Sequence, residues 1–121
     1  MKIQKTGAGA GGERVAARFL EQHGYDILKQ NYQVSGAEVD LIALKGDMVV
    51  FVEVKTRGTD DYGMPEEFVD RHKRNRYIRA AKIFTADDLY INCYVRFDII
   101  SILYKANDIV INHIQHAFEE S

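Results

Sequence analysis

Four charged residues, Glu38, Asp40, Glu53 and Lys55, sit in two apolar runs on either side of Gly46-Asp47. Gly-Asp suits a two-residue hairpin loop with a positive φ at its first position. With that loop Lys45 faces Met48, Asp40 faces Glu53 and Glu38 faces Lys55. Side chains alternate along a strand, so the four share one face at one end of the hairpin. Glu38 opposite Lys55 reads as an ordinary cross-strand ion pair, worth about 0.2–1 kcal/mol. Asp40 opposite Glu53 does not, because two facing carboxylates repel and partial burial deprives both of hydration. A proton that raises one pKa, or a cation, must compensate. Two acidic oxygen donors beside a lysine at a strand end suit a hard divalent ion such as magnesium. A three-residue loop would turn Glu53 to the opposite face, so the chemistry depends on register.

The hairpin that carries these groups is apolar on both sides elsewhere. Ile42, Leu44, Val49 and Phe51 continue the charged face, while Val39, Leu41, Ala43, Val50, Val52 and Val54 form the other. Such a hairpin is central and covered by helices on both faces. Before it, the glycine-rich 1–11 reads as a mobile arm or a frayed helix start. Residues 12–23 follow with Val15, Ala16, Phe19 and Leu20 at helical spacing and Gly24 as the stop. Glu13 falls in the first turn of that helix, where the dipole alone accounts for a carboxylate. A strand over 25–34 and a Ser35-Gly36 turn lead into the hairpin.

After the hairpin, 58–65 reads as a loop leaving from the charged end, where it could close over a substrate. A helix is predicted from Pro65 to about Thr85, with Glu66 and Glu67 in its first turn. Arg71, Lys73, Arg74, Arg76, Arg79 and Lys82 make its second part strongly basic, with no acid from Arg71 to Ala86. Tyr77, Ala80, Ala81 and Phe84 form its apolar stripe, which puts Arg76, Arg79 and Lys82 outside and Lys73 on the sheet side, within reach of the hairpin end. Such a helix is either a solvated face or a phosphate-binding surface. A strand over 94–104 and a hairpin at Asn107-Asp108 close the chain with 109–116. Asp98, inside a strand, is read as a structural partner of Arg96.

A chain of 121 residues with 46% hydrophobic and 28% charged residues is one ordinary globular domain. Its single cysteine, Cys93, excludes an internal disulfide and cysteine-based zinc, and fits a reducing compartment. With no long apolar run and no signal core, no membrane partner is expected and the cytoplasm is the default location. A net charge of −2 means that nucleic-acid binding must rest on local charge.

Taken together, the chain resembles the uncharacterised bacterial YraN-like family, which has a restriction-endonuclease-like core. The resemblance is carried by Gly12-Glu13, Gly24-Tyr25, Asn31-Tyr32, EVDLIA at 38–43, FVEVKTR at 51–57, Gly63 with Pro65-Glu66, the basic helix, RFDI at 96–99 and HIQHAF at 113–118. It implies an α/β fold in the order α-β-β-β-α-β-β, with a central mixed sheet flanked by helices. It implies that Asp40 takes the first acidic position of the PD-(D/E)xK nuclease motif and that Glu53 and Lys55 form its Glu-x-Lys. Glu13 would take the acidic position that first helices of such folds aim at the metal. Val39 stands where that motif has a variable proline.

The expectation is a metal-dependent nuclease hydrolysing phosphodiester bonds in nucleic acid, DNA favoured, with resolvase-like action on branched DNA as one form. Asp40 and Glu53, with the Val54 carbonyl, would hold Mg2+ or Mn2+. Lys55 would position the attacking water or stabilise developing charge, and Glu38 would orient Lys55. Arg57 with Lys73, Arg74, Arg76, Arg79 and Lys82 would grip the backbone. The alternative is a nucleic-acid-binding module that keeps a nuclease-like fold without cutting. A third possibility is association through the apolar C-terminal strand, with a homodimer as its simplest form.

Overall fold

A computed structural model of the chain describes residues 8–58 and 70–119. The elements follow the order α1 (Ala8–Gln22), β1 (Asp26–Val34), β2 (Ala37–Lys45), β3 (Met48–Arg57), α2 (Arg71–Phe84), β4 (Tyr94–Lys105) and β5 (Asp108–Phe118). The strands form one sheet in the spatial order β1-β2-β3-β4-β5. Among the described residues only the β3–β4 pair is parallel, so the sheet is mixed and α2 lies in the crossover between those two strands. No helix among the described residues is long and apolar enough to cross a membrane.

The sheet is apolar on both faces because each is covered by a helix. On one face Ala16, Ala17 and Leu20 of α1 pack with Leu41, Ala43, Val50, Val52, Ile100 and Ile102. On the other, Tyr77, Ala80 and Ala81 of α2 pack with Ile42, Val49, Phe51 and Ile99. Helix α1 ends through Gly24: its N–H donates to Glu21 O (3.1 Å) and the Tyr25 N–H to Leu20 O (3.0 Å), satisfying carbonyls that the last turn leaves open. The central hairpin has the register required by a two-residue loop, with Lys45↔Met48 and then Ile42↔Phe51 and Leu41↔Val52, and Gly46 takes φ 61°.

The structure corrects four expectations. Helix α1 begins at Ala8, so of the two readings of 1–11 it is the helix start that holds for 8–11, and Glu13 lies beyond the first turn, where the dipole explanation no longer holds. Helix α2 begins at Arg71, because Asp70 is extended (φ −78°, ψ 176°) and its side chain accepts from the Lys73 N–H at 2.9 Å; Pro65, Glu66 and Glu67 lie outside the described residues. Val39 packs with Ile42 and Phe51, not with Leu41. Strict alternation breaks there because the β2–β3 ladder stops at Leu41↔Val52 and because Asn31, across from Asp40 on β1, takes φ 52°. The last hairpin turns at Ala106-Asn107, with Lys105↔Asp108 paired and β5 reaching Phe118.

Two contacts set the sheet's ends. Gly12 is buried against β3, and a Cβ there would lie 2.2 Å from Thr56 Cγ2. Only a residue without a side chain lets α1 come this close to the end of β3. On the far side, β5 is irregular between Ile99↔Ile114 and Phe97↔Phe118, and His116 takes φ 57°. The fully buried Asp98 fills that irregularity, accepting from the His116 N–H (3.0 Å), from Arg96 Nε and Nη2 (2.8 Å each) and contacting His113 Nε2 (2.7 Å). Asp98 is thus the structural partner of Arg96, and it also serves β5.

Two stability outcomes follow. Gly12→Ala should lower the urea midpoint, with a loss of about 1–3 kcal/mol from overpacking, and adding Thr56→Ala should recover most of it. Asp98→Ala leaves the Arg96 guanidinium without its counter-charge, with only the Tyr25 hydroxyl still accepting from it, and should cost about 3–5 kcal/mol by the same measurement.

Candidate active site at the end of strand β3

Strand β3 runs out of the apolar core at Glu53, and the last third of the strand is where the charged side chains gather. Glu53 is only 3% exposed. Its Oε2 accepts from the Tyr77 hydroxyl at 2.5 Å, and its Oε1 accepts from Lys73 Nζ and lies 3.1 Å from Lys55 Nζ. Lys73 and Tyr77 are four residues apart on α2, so one helix face delivers both. Burial raises the Glu53 carboxyl, but the hydrogen bonds from Lys73 and Tyr77 and the charges of Lys73 and Lys55 outweigh it and hold it below the usual range. Tyr77, buried beside Glu53 and Asp40, is held well above the usual phenol range, which keeps its proton for that bond.

Asp40 stands where the β2–β3 ladder has ended, and its Oδ2 accepts from the Val54 N–H at 2.8 Å. Burial, then the negative charge of Glu53, push its carboxyl up to about 7. Facing acids have therefore parted: Glu53 keeps the charge and Asp40 holds a proton readily near neutrality. Glu13 reaches this pair from α1. Burial raises it, against hydrogen bonds with Asn31 and Asp40. The structure thus brings Glu13, Asp40, Glu53, Lys55 and the Val54 backbone together. Glu38 is exposed, pairs with Gln33 across β1–β2, and lines the same groove, whose volume is about 310 Å³ and which is also lined by Gly36, Asp40, Glu53, Lys73 and Arg76.

The basic run does not form one surface. Arg76 lines the groove beside Asp40 and Glu53, and Arg79 is exposed while its Nη2 donates to Ser35 O at 2.9 Å, tying α2 to the β1–β2 turn. Lys82 lies instead on the other flank of α2, in a groove of about 400 Å³ with Phe97, His116 and Phe118, and Arg74 approaches the Phe118 ring. That larger groove lacks the paired acids, so the smaller one is where chemistry would occur. Arg57 ends β3, half-buried. Sequence reasoning placed Lys73 near the hairpin end but missed its bond to Glu53, missed Asn31, and read Tyr77 as core alone. The Lys-x-x-x-Tyr spacing on the sheet-facing side of a helix was the available signal.

Among the described residues, no three His, Cys, Asp or Glu side chains stand ready as they are to hold a metal ion. The residues present are oxygen donors of the kind a hard cation takes, two carboxylates brought together and a third within hydrogen-bonding reach, and an ion bound there would have to displace the proton that Asp40 holds. What stands in the way is the ammonium of Lys73 on Glu53.

Comparison with known proteins bears on kinship alone. A profile described as "Uncharacterised protein family UPF0102" matches residues 12–102. A UPF0102 protein of Caldanaerobacter subterraneus subsp. tengcongensis is 38% identical over 120 residues, covering 97% of this chain and 98% of its own. One from Clostridium perfringens is 42% identical over 102 residues, 84% of each chain. A solved structure, a protein of unknown function from Silicibacter pomeroyi, aligns with a TM-score of 0.39 and 15% identity over 94% of this chain and 73% of that one, too distant to bear on fold or function.

The Asp40 environment makes a pH test possible. Because its folded-state carboxyl is raised from 3.8 to about 7, the neutral form stabilises the fold fully below the unfolded value, and that contribution is lost as pH rises through the folded value. Asp40→Asn keeps a neutral group there. Relative to wild type it should gain on the order of 2–4 kcal/mol of stability between about pH 4 and pH 8, measured by urea unfolding across that range.

Proposed function

The chain belongs to the uncharacterised protein family UPF0102, the YraN-like family its motifs resemble, and from that premise we propose that it is a metal-dependent nuclease with a restriction-endonuclease-like core. One observation carries the reading. At the end of β3, Asp40 and Glu53 are held together with opposite proton preferences, beside Lys55 and within reach of Glu13. Asp98, by contrast, is a single buried acid whose oxygens are satisfied by Arg96 and the His116 N–H. The acid, the Glu-x-Lys spacing and a flanking helix acid are what phosphodiester hydrolysis assisted by a divalent ion would use.

In this reading Asp40 and Glu53 hold Mg2+ or Mn2+, with the Val54 carbonyl and Glu13 as further donors. The ion would lower the pKa of a bound water and neutralise charge on the attacked phosphate. Lys55, on the same strand face as Glu53, orients the water or stabilises charge that develops on the phosphate. Glu38, on the exposed rim, orients the lysine side. Arg76, on the groove wall, and Arg57, at the end of β3, engage the backbone, and Arg74, Arg79 and Lys82 extend the positive field over α2. DNA is the favoured substrate class. The edge of β5, with Val110 41% exposed, is the surface through which a second copy of the chain would pair for action on branched DNA.

The second reading, a nucleic-acid-binding module that does not cut, draws on the ion pairing of Glu53 with Lys73, which closes the acid to a cation. Labelled linear, flapped and four-way-junction DNA incubated with magnesium, manganese or chelator separates the two. Cutting is expected only with the divalent ion, and Asp40→Asn and Glu53→Gln should each reduce it at least about a hundredfold. DNA binding without cutting, indifferent to the metal and to both substitutions, would establish the binding module instead.

A further inference from the structure

Glu53 has both oxygens committed. Tyr77 holds Oε2, and two ammonium groups, from Lys55 and Lys73, meet on Oε1. A buried carboxylate needs one countercharge, and here there are two, from different elements. Lys55 comes from β3, two residues from Glu53 on the same strand face. Lys73 comes from the first turn of α2 on a long, flexible stem, with its side chain 27% exposed along the groove that Arg76 also lines. The two side chains are almost equally exposed, 26% for Lys55 and 27% for Lys73, but Lys73 is the one that already lines the groove and so has a place to go there.

A divalent ion drawn to Asp40 and Glu53 would find the Lys73 ammonium on the oxygen it needs. Glu53 Oε1 already carries two ammonium groups, so a divalent ion arriving on it adds a third positive partner and favours the departure of one of them. Once displaced, the ammonium can turn along the groove that it lines with Arg76 and Glu38. That is also where an anionic backbone would lie to reach the acids.

We propose that Lys73 is a tethered counter-ion that neutralises Glu53 when no divalent ion is present and, when one binds, moves into the groove beside Arg76 to take an oxygen of a nucleic-acid phosphate. This rests on the metal-site reading above and adds to it an order of events: the ion opens a phosphate-binding lysine. Lys73 is accordingly a positioning residue for the acid in one state and a substrate contact in the other. Tyr77 keeps its bond to Oε2 in both, so Glu53 stays oriented when the ammonium departs.

The test is calorimetric titration of the whole protein with Mn2+ alone, comparing wild type, Lys73→Met and Lys73→Gln at fixed salt and pH. Met keeps the stem without charge, and Gln keeps a hydrogen-bond donor for Glu53, so the second variant stands in if the first fails to fold. Both should bind Mn2+ roughly tenfold tighter than wild type, since a competing charge has gone. Affinity for a short DNA duplex should then fall severalfold in both variants when Mn2+ is present and stay near wild type in chelator. Mn2+ binding by the variants but not by wild type also supports the proposal. Equal or weaker Mn2+ affinity in the variants, or a loss of DNA affinity that is the same in chelator, overturns it while leaving the metal site standing. If none of the three proteins binds Mn2+, the metal-site reading falls and the proposal with it.

Discussion

A carboxylate that is only 3% exposed at the end of a central strand must be given positive charge or hydrogen bonds by its surroundings, and much of this fold is arranged to do so for Glu53. Tyr77 and Lys73 lie one helical turn apart because both are needed on the same acid, and that requirement orients the first turns of α2 over β3. Asp70 then caps the helix where Lys73 emerges, so the cap and the ion pair determine the same few residues. Asp40, which lacks these donors and has the Val54 N–H and the Glu13 carboxyl as partners, has the opposite proton preference. Two acids a few residues from each other in space thus differ because helix α2 serves one and not the other.

The contrast with Asp98 shows what a buried acid looks like when structure alone is at stake. Burial raises it, but contacts from His113, Arg96 and the His116 N–H outweigh that and hold it below the usual range. Every side of the group is satisfied, and the network joins β4 to an irregular stretch of β5 and, through Arg96 Nη2 and the Tyr25 hydroxyl at 2.6 Å, to the end of α1. Nothing there is left for a ligand. At the β3 end, by contrast, a proton-holding Asp40, a raised Glu13 and a doubly paired Glu53 face an open groove. Unequal satisfaction of neighbouring acids is the feature that separates a site from a strut.

Backbone irregularity is what makes that groove. The end of the β2–β3 ladder and the positive φ of Asn31 let Asp40 turn its carboxylate to the Val54 N–H, at the cost of the regular pleat that would have put Val39 beside Leu41. Gly12 lets α1 touch Thr56, which brings Glu13 to within hydrogen-bonding reach of both Asn31 and Asp40. Strand ends that stop pairing free backbone donors for side chains, and here the freed donor is used by the acid most exposed to its neighbour's charge.

Much of this was legible from local pattern. The Gly46-Asp47 loop determined the hairpin register from Lys45↔Met48 to Leu41↔Val52, which brings Asp40 and Glu53 to the same end of the hairpin although the pairing stops one residue short of them. The two apolar faces required helices on both sides, and both were found at the expected places in the chain. Helix ends were less legible: Pro65 competed with Asp70 as a start signal, and glycines concealed the turn of α1 before Gly12. The tertiary structure alone decided which lysine reaches Glu53, that Tyr77 is its second donor, that Val39 changes face, and that the basic run divides between two flanks of α2. Each of these depends on how a helix is rotated and seated on the sheet, a contact between residues some twenty or more positions apart that no local period encodes.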